Sequence, residues 1–188
     1  MTEQELIDGL KRKEESAFQY LVTHYQDRVY NTSLSIVQSS EDAEDVAQEV
    51  FIQVFRSIST FKQESKLSTW IYRITTTRSL DLLRSKKSKK RFGLLQRLWQ
   101  QDDEPAVEIP EFVHPGVQLE KKEDAKMLFK AIEQLPENQK IAFTLHKLEG
   151  LSYQQISEVM KNSVPAVESL MHRARLNLKK TLEKKLNR

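Results

Sequence analysis

The chain of 188 residues contains no cysteine, only four glycines and only five prolines. Without thiols it can form neither a disulfide nor a thiolate metal site. Scarce glycine and proline, beside abundant leucine, lysine and glutamate, favour helices over sheets. No apolar run approaches the roughly 20 residues that span a bilayer, and the polar N-terminus has no signal-peptide core. We therefore expect a soluble, cytoplasmic protein that is not itself a membrane protein.

Histidine is also scarce, which bears on catalysis and metal binding. The four histidines lie at positions 24, 114, 146 and 172, and none is paired with a second histidine and a carboxylate at metal-ligand spacing. His172 has no serine and aspartate arranged around it as a nucleophilic site would need. We therefore expect no catalytic residue, no metal, no cofactor and no small-molecule substrate.

Charge is unevenly distributed, although the net charge is only +3. Residues 65–99 contain ten Lys/Arg against one Asp/Glu, and residues 125–188 contain twelve against six. Residues 1–64 and 100–124 each have a net charge of −6. This alternation predicts two basic surfaces joined by an acidic connector. A charge run can also be only a solvated face, and that alternative stays open for either basic block alone.

Prolines separate the chain into two parts. Positions 105, 110 and 115 are prolines within an acidic stretch, and they deny it a long helix. We therefore predict an all-α protein with two small helical domains, residues 1–90 and 122–188, joined by a flexible linker over residues 91–121.

The stretch that follows Ser39 predicts an amphipathic helix. Ser39 and Ser40 can cap its start, and apolar side chains recur at i, i+3, i+4 and i+7 from Ala43 to Ile58. The opposite face is acidic and amidic. It holds Asp42, Glu44, Asp45, Gln48, Glu49 and Gln53.

A second pattern combines aromatic and basic side chains. In KLSTWIYRITTTRSLDLLRSKKSKK, which starts at Lys66, Trp70 and Tyr72 lie beside Arg73 and ahead of a lysine cluster. Rings of this kind can stack on unpaired bases while the cations hold the nucleic-acid backbone. The alternative is that Trp70 belongs to the core, which its helical phase partly supports.

The C-terminal part predicts a helix-turn-helix. LSYQQISEVM, from Leu151, begins with a capping box of Ser152 and Gln155, and a short turn at 161–163 leads into SVPAVESLMHRAR. Five apolar residues of the second helix share one face. They are Val164, Val167, Leu170, Met171 and Ala174. The outward residues are Ser163, Ala166, Glu168, Ser169, His172, Arg173 and Arg175. The small and polar end of such a helix meets base edges, and the later cations, with Lys179, suit phosphates.

Three stretches together resemble bacterial sigma factors of the extracytoplasmic-function (ECF) group. They are DAEDVAQEVFIQVF (42–55), STWIYRI with LDLLR downstream (68–84), and LPENQKIAFTLHKLEGLSYQQISEVMKNSVPAVESLMHRAR (135–175). The resemblance implies a region 2 domain and a region 4 domain, with no catalytic activity. It implies core RNA polymerase and promoter DNA as partners, and it leaves an anti-sigma factor open as a third.

The resemblance also implies roles for particular residues. Docking on polymerase falls to Asp42, Glu44, Asp45, Gln48, Glu49 and Gln53. Recognition of the melted −10 element falls to Trp70, Tyr72, Arg73, Thr77, Arg78, Arg84, Lys86 and Lys87. Recognition of the −35 element falls to Ser152, Tyr153, Ser163, Ala166, Glu168, Ser169, His172, Arg173, Arg175 and Lys179.

Thr77 departs from the family pattern, because many members carry asparagine there. Threonine offers one hydroxyl and a methyl group, so it cannot make the paired donor and acceptor contact of an asparagine. The −10 preference of well-known members therefore does not transfer to this chain.

Two other classes of protein are weighed against a sigma factor. A stand-alone helix-turn-helix regulator would form a tight dimer on palindromic sites, whereas the long linker has no heptad pattern. An enzyme acting on nucleic acid would need a carboxylate metal site. The acids at 42, 44 and 45 are clustered, but the sequence offers no third ligand facing them.

Overall fold

The computed structural model describes the backbone of residues 1–97 and 122–186, and the side chains of 1–89 and 127–184. Every regular element in these ranges is a helix, which confirms the all-α prediction. The helices are α1 (Glu3–Lys11), α2 (Glu15–Val37), α3 (Ser40–Ser57), α4 (Leu67–Arg97), α5 (Lys122–Glu133), α6 (Glu137–Lys147), α7 (Tyr153–Met160) and α8 (Val164–Leu186), with a 3₁₀ turn over Ile58–Thr60.

Helices α1 to α4 form the first domain around one apolar core. The predicted stripe of α3 supplies Val46, Val50 and Val54, all buried between α2 and α4. Ser39 caps α3 by accepting a hydrogen bond from the Asp42 amide at 3.3 Å. The carboxylate of Glu3 in α1 accepts from the Leu67 amide at 3.3 Å. The first helix therefore helps to fix where α4 begins.

Helices α5 to α8 form the second domain, which contains the predicted helix-turn-helix. Ser152 and Gln155 make the reciprocal capping box that starts α7. Lys161 then adopts a left-handed conformation, with φ of 53°, and turns the chain toward α8. The Ser163 hydroxyl accepts from the Ala166 amide at 3.3 Å, so it caps α8. The helix-turn-helix is confirmed.

The end of α4 differs from the expected start of the linker. The backbone stays helical to Arg97, past the boundary expected at residue 91. The run of lysines and serines after Arg84 contains no proline, so nothing in it interrupts the helical hydrogen bonds. The rest of the predicted linker, residues 98–121, lies outside the described residues, as does the predicted linker flexibility.

The two domains pack directly on each other. Ile36 of α2 and Tyr72 of α4 belong to the apolar cluster built mainly from α6, α7 and α8. Conversely, Phe129 of α5 packs into the core of the first domain.

Across the ranges that the structure describes, no helix is both long and apolar enough to cross a membrane.

Close packing between α1 and α2 generates a stability prediction at Gly9. A Cβ added there would come within 2.8 Å of the Ala17 Cβ and 2.9 Å of a Glu14 carboxylate oxygen. Gly9→Ala should therefore lower the free energy of unfolding by about 1–3 kcal/mol, despite the higher helix propensity of alanine.

Urea denaturation checks this prediction, with exposed Lys11→Ala on the same helix as the control. The control should change stability by about 0.5 kcal/mol or less. A Gly9→Ala protein at least as stable as the wild type would show that α1 can move from α2 without penalty.

Candidate polymerase and nucleic-acid interfaces

The exposed polar side of α3 is acidic. Glu44, Asp45, Gln48 and Glu49, which we call the acidic face, are all exposed because the valines on the opposite side are buried. Ile52 stands beside them with 48% of its surface exposed. Sequence reasoning did not assign Ile52 to this surface, although its position one turn after Gln48 and Glu49 could have indicated it. The surface therefore combines carboxylates with an exposed apolar group.

Phe55 also differs from the sequence interpretation. The periodicity placed it in the buried stripe of α3, but it is 37% exposed at the edge of the helix. Its ring meets the Phe18 ring edge-on, with 5.4 Å between centroids. The apolar surface on α3 therefore extends from Ile52 to Phe55.

Two of the predicted docking residues lie between α3 and α4 instead of on the acidic face. Asp42 is only 8% exposed and forms an ion pair with Lys86. The Gln53 side-chain carbonyl accepts from the Arg78 guanidinium at 2.8 Å. Asp42 lies four residues before Val46, and Gln53 lies three residues after Val50. Both therefore lie at the border of the buried stripe, where their side chains turn toward α4. The expectation that Asp42 lies exposed on the polar side is wrong.

Asp42, Glu49, Gln53, Arg78 and Lys86 together form what we call the α3–α4 seam. Glu49 takes part through a carboxylate oxygen 4.0 Å from the Arg78 guanidinium, while most of its side chain stays exposed. Cations predicted to hold DNA are thus positioned by residues predicted to dock on polymerase.

Trp70 is half-buried. Its ring lies 5.0 Å from the Phe61 ring, centroid to centroid, with the planes tilted by 34°. It also lines an open cavity of about 300 Å³ together with Lys62, Ser65 and Arg73. The indole is therefore packed on one side and open to a polar cavity on the other.

Tyr72 and Arg73 are engaged by the second domain. Tyr72 is 4% exposed, and its hydroxyl donates to the Glu149 carboxylate at 2.8 Å. Burial and the adjacent carboxylate raise the pKa of Tyr72 above its usual value. The Arg73 guanidinium donates to the Glu158 carbonyl at 2.7 Å. Sequence reasoning missed this contact between domains.

The remaining predicted −10 residues form an exposed basic side along α4. Thr77 is exposed, and its hydroxyl donates to the Arg73 carbonyl at 2.8 Å. Arg84 pairs loosely with Asp81 at 3.5 Å, and Lys87 is exposed. These side chains are accessible to a strand of nucleic acid that follows the helix.

The outward residues of α8 are placed as the periodicity predicts. Ser163, Glu168, Ser169, His172, Arg173, Arg175 and Lys179 are exposed, and Ala166 is half-buried. The inward side chains of Val167, Leu170, Met171 and Ala174 are buried, while Val164 is half-buried.

Two hydrogen bonds orient arginine side chains of α8. The Arg175 guanidinium donates to the Tyr153 hydroxyl at 3.3 Å, and the Arg173 guanidinium donates to the Ser169 carbonyl at 3.2 Å. Tyr153 therefore lies next to α8. The Ser152 hydroxyl is already used in capping, because it accepts from the Gln155 amide at 3.2 Å.

The acids considered for a metal site do not converge. Asp42 is turned toward Lys86, whereas Glu44 and Asp45 are exposed. In the parts of the chain that the structure describes, no group of three or more His, Cys, Asp or Glu side chains could hold a metal ion.

Comparison with known families matches both domains. The family model described as sigma-70 region 2 matches residues 21–89, and the model described as sigma-70, region 4, matches residues 125–178. Curated relatives match nearly the whole chain. The ECF RNA polymerase sigma-E factor of Escherichia coli (strain K12) is 31% identical over 175 residues, which cover 93% of this chain and 91% of that protein. The protein of the same name from Haemophilus influenzae is 33% identical, covering 93% and 92%.

Solved structures share the fold at lower identity. The structure of CnrH in complex with the cytosolic domain of CnrY is similar with a TM-score of 0.69 and 19% identity, covering 97% of each chain. The sigma factor RpoE of Bartonella quintana, in complex with the anti-sigma factor NepR, gives a TM-score of 0.64 and 18% identity, covering 88% of this chain and 96% of that one. Given its match to both region models and its identity to whole relatives, the chain belongs to the ECF group of RNA polymerase sigma factors, which direct the polymerase to specific promoters.

Proposed function

We propose that this sigma factor docks on core RNA polymerase through α3 and contacts promoter DNA through α4 and α8. The observation that carries the proposal is the separation of charge among exposed surfaces. The acidic face lies on α3, whereas exposed arginines and lysines line α4 and the later turns of α8. Carboxylates repel phosphates and cations attract them, so these surfaces suit different partners.

The proposed docking surface is the acidic face together with Ile52. Exposed carboxylates give the surface its charge complementarity to a basic partner and speed the encounter. Ile52 supplies apolar area that is exposed in the free chain and would be covered on binding. Asp42 and Gln53 contribute indirectly, because they hold Lys86 and Arg78 against α3.

The proposed −10 surface runs along α4 from Trp70 to Lys87. The indole of Trp70 lies beside Lys62 and Arg73, and a stacking ring with nearby cations suits single-stranded DNA. The proposed −35 surface is the helix-turn-helix of α7 and α8, with its small polar residues nearest the bases. The proposed domain limits are 1–90 for region 2, 91–121 for the linker, whose first residues to Arg97 continue α4, and 122–188 for region 4.

Sigma factors are typically non-catalytic initiation factors, and we propose the same for this chain. Its place of action would be the cytoplasm, where core polymerase and promoter DNA meet.

An anti-sigma factor is proposed as a further partner, because the similar RpoE structure of Bartonella quintana contains one. A stand-alone regulator is less well supported, since the relatives matched over 93% of the chain are sigma factors.

Reversing charge on the acidic face tests the docking surface. Asp45→Arg combined with Glu49→Arg should abolish association with core polymerase, because two carboxylates become two cations. Pull-down against core polymerase measures the effect, and circular dichroism checks the helices. The control is Glu15→Arg combined with Asp27→Arg, an equal charge change on the exposed surface of α2. Retained polymerase binding with an unchanged helical spectrum would remove α3 from the docking surface.

Removing the indole of Trp70 tests its contact with opened DNA. Trp70→Ala should stop open-complex formation, measured by permanganate footprinting, yet spare polymerase binding. A stacked base is typically worth about 1–3 kcal/mol, a measurable loss. Trp70→Phe keeps a ring against Phe61 and should restore part of the opening. If Trp70→Ala instead loses its helical spectrum, the tryptophan is chiefly a core residue.

Substitutions at the start of α8 and along it should fall into two classes. Changes at Ser163, Ala166, Glu168 and Ser169 should alter which −35 sequences are used, by about 1–3 kcal/mol for each good contact. Arg173→Ala, Arg175→Ala or Lys179→Ala should weaken all promoters nearly uniformly and reduce the salt slope by about one unit per lost phosphate contact.

Transcription from a −35 promoter library at several salt concentrations separates the two classes. The informative pair is Glu168→Ala and Arg173→Ala. A change of sequence preference with Arg173→Ala, but none with Glu168→Ala, would mean that the helix lies in the groove in the opposite sense.

A further inference from the structure

We propose that His146 is a further DNA-binding residue of region 4, and that it binds a phosphate of the −35 duplex only in its protonated form. This inference rests on the proposed role of α7 and α8 in −35 recognition. Three side chains from three helices carry it, and we call them the phosphate cluster. They are His146 of α6, Tyr153 of α7 and Arg175 of α8. The cluster gives the −35 surface an affinity that rises as the pH falls.

The imidazole of His146 is fixed at the start of the helix-turn-helix. His146 lies in the last turn of α6, and its Nδ1 lies 2.9 Å from the carbonyl oxygen of Leu151, just before α7. A carbonyl oxygen can only accept a hydrogen bond, so Nδ1 carries a proton in both charge states of the ring. The nitrogen that gains or loses a proton is therefore Nε2. Within the described residues Nε2 has no hydrogen-bond partner, which leaves it for a partner outside the chain.

Protonation of Nε2 reverses its interaction with a phosphate. The neutral imidazole presents a lone pair at Nε2, which repels phosphate oxygens, whereas the imidazolium presents an N–H donor and a positive charge. Histidine is the side-chain type whose charge ordinarily changes between about pH 5 and 8. An arginine in the same place would stay charged throughout that range. A contact through Nε2 would therefore form at low pH and weaken as the pH rises.

Tyr153 connects the imidazole of His146 to a cation of α8. The Tyr153 ring lies 4.9 Å from the imidazole, centroid to centroid, with the planes tilted by 55°. Its hydroxyl accepts from the Arg175 guanidinium at 3.3 Å. The imidazole and the guanidinium are therefore held next to the same half-buried ring, one from α6 and the other from α8. A phosphate bound by Arg175 beside this ring would lie close to His146.

The charged groups around the imidazole act in opposite directions on its protonation. Arg175 disfavours a second cation, and so does Lys147, the next residue of the chain. The C-terminal end of α6 and the face of the Tyr153 ring both favour one. Glu149 also favours a cation, although its carboxylate accepts from the Tyr72 hydroxyl. A phosphate adds negative charge at the cluster itself, so DNA binding takes up a proton at Nε2 and tightens as the pH falls.

The affinity of the holoenzyme for promoter DNA, measured as a function of pH, tests the inference. The probe is a fluorescein-labelled duplex that the wild-type holoenzyme selects from the −35 library at neutral pH, and anisotropy gives its dissociation constant. The constant for His146→Gln, divided by that for the wild type, cancels the pH response of the polymerase itself. This ratio should rise from about 1 near pH 8 to about 2–5 near pH 6, as expected for one partly exposed ion pair. The wild-type salt slope should also exceed that of the variant by about one unit at the lower pH.

Two further variants separate the charge of the ring from its structural role. His146→Gln keeps an N–H donor for the Leu151 carbonyl but cannot become a cation. His146→Arg is always charged, so near pH 8 its holoenzyme should bind more tightly than the wild type. The matched control is His24→Gln in the first domain, because His24 also stacks on a tyrosine ring and has its Nδ1 2.8 Å from a backbone carbonyl. This control should keep the full pH dependence of the wild type.

Circular dichroism checks the helices of each variant, and His146→Asn takes the place of His146→Gln if that variant loses helix. Parallel pH profiles of the wild type and the neutral variant would overturn the inference. So would a His146→Arg holoenzyme that binds no more tightly than the neutral variant near pH 8. Failure of the −35 proposal would look different, because the holoenzyme would then show no preference among −35 sequences at any pH, and Arg173→Ala would not weaken binding.

Discussion

The packing of α3 against α4 is the constraint on which the functional surfaces of this protein depend. The valine stripe of α3 is buried between α2 and α4, and this fixes which side chains of α3 reach the solvent. The acidic face is exposed because it lies opposite that stripe. Asp42 and Gln53, at its borders, bind cations of α4 instead. The packing of α3 on α4 therefore determines which charged side chains of the first domain pair with each other in the seam. It also determines which ones stay exposed, on the acidic face of α3 and on the basic side of α4.

The seam also brings residues of the proposed docking and −10 surfaces into contact. Arg78 lies near both Gln53 and the carboxylate of Glu49, so a partner that engages Glu49 changes the surroundings of a cation on the −10 surface. The pair is partly exposed, and exposed ion pairs are worth little by themselves. Its importance lies in geometry, since it keeps the guanidinium on the side of α4 where the other cations lie. The second domain engages another cation of α4, because the Arg73 guanidinium donates to the Glu158 carbonyl.

Local patterns in the sequence were enough to predict α3, α7 and α8 and most of their buried side chains. The stripe of α3, the capping box at Ser152 and the inward face of α8 all follow from residues within a turn or two of each other. Contacts between elements were not predictable in the same way. The burial of Tyr72 depends on where α6 and α7 lie, and no periodicity within α4 encodes that position. Asp42 was misjudged for a similar reason, because a helical wheel cannot say how far a neighbouring helix extends over the border of a face.

Promoter-selective transcription with core polymerase tests the central claim most directly. The chain is added to core polymerase on a library of double-stranded templates, and the 5′ ends of the transcripts are sequenced. The account predicts that initiation is concentrated on templates that share two elements at a constant spacing, upstream of a constant start site. Initiation no more selective than that of core polymerase alone, under conditions in which the two proteins associate, would contradict it.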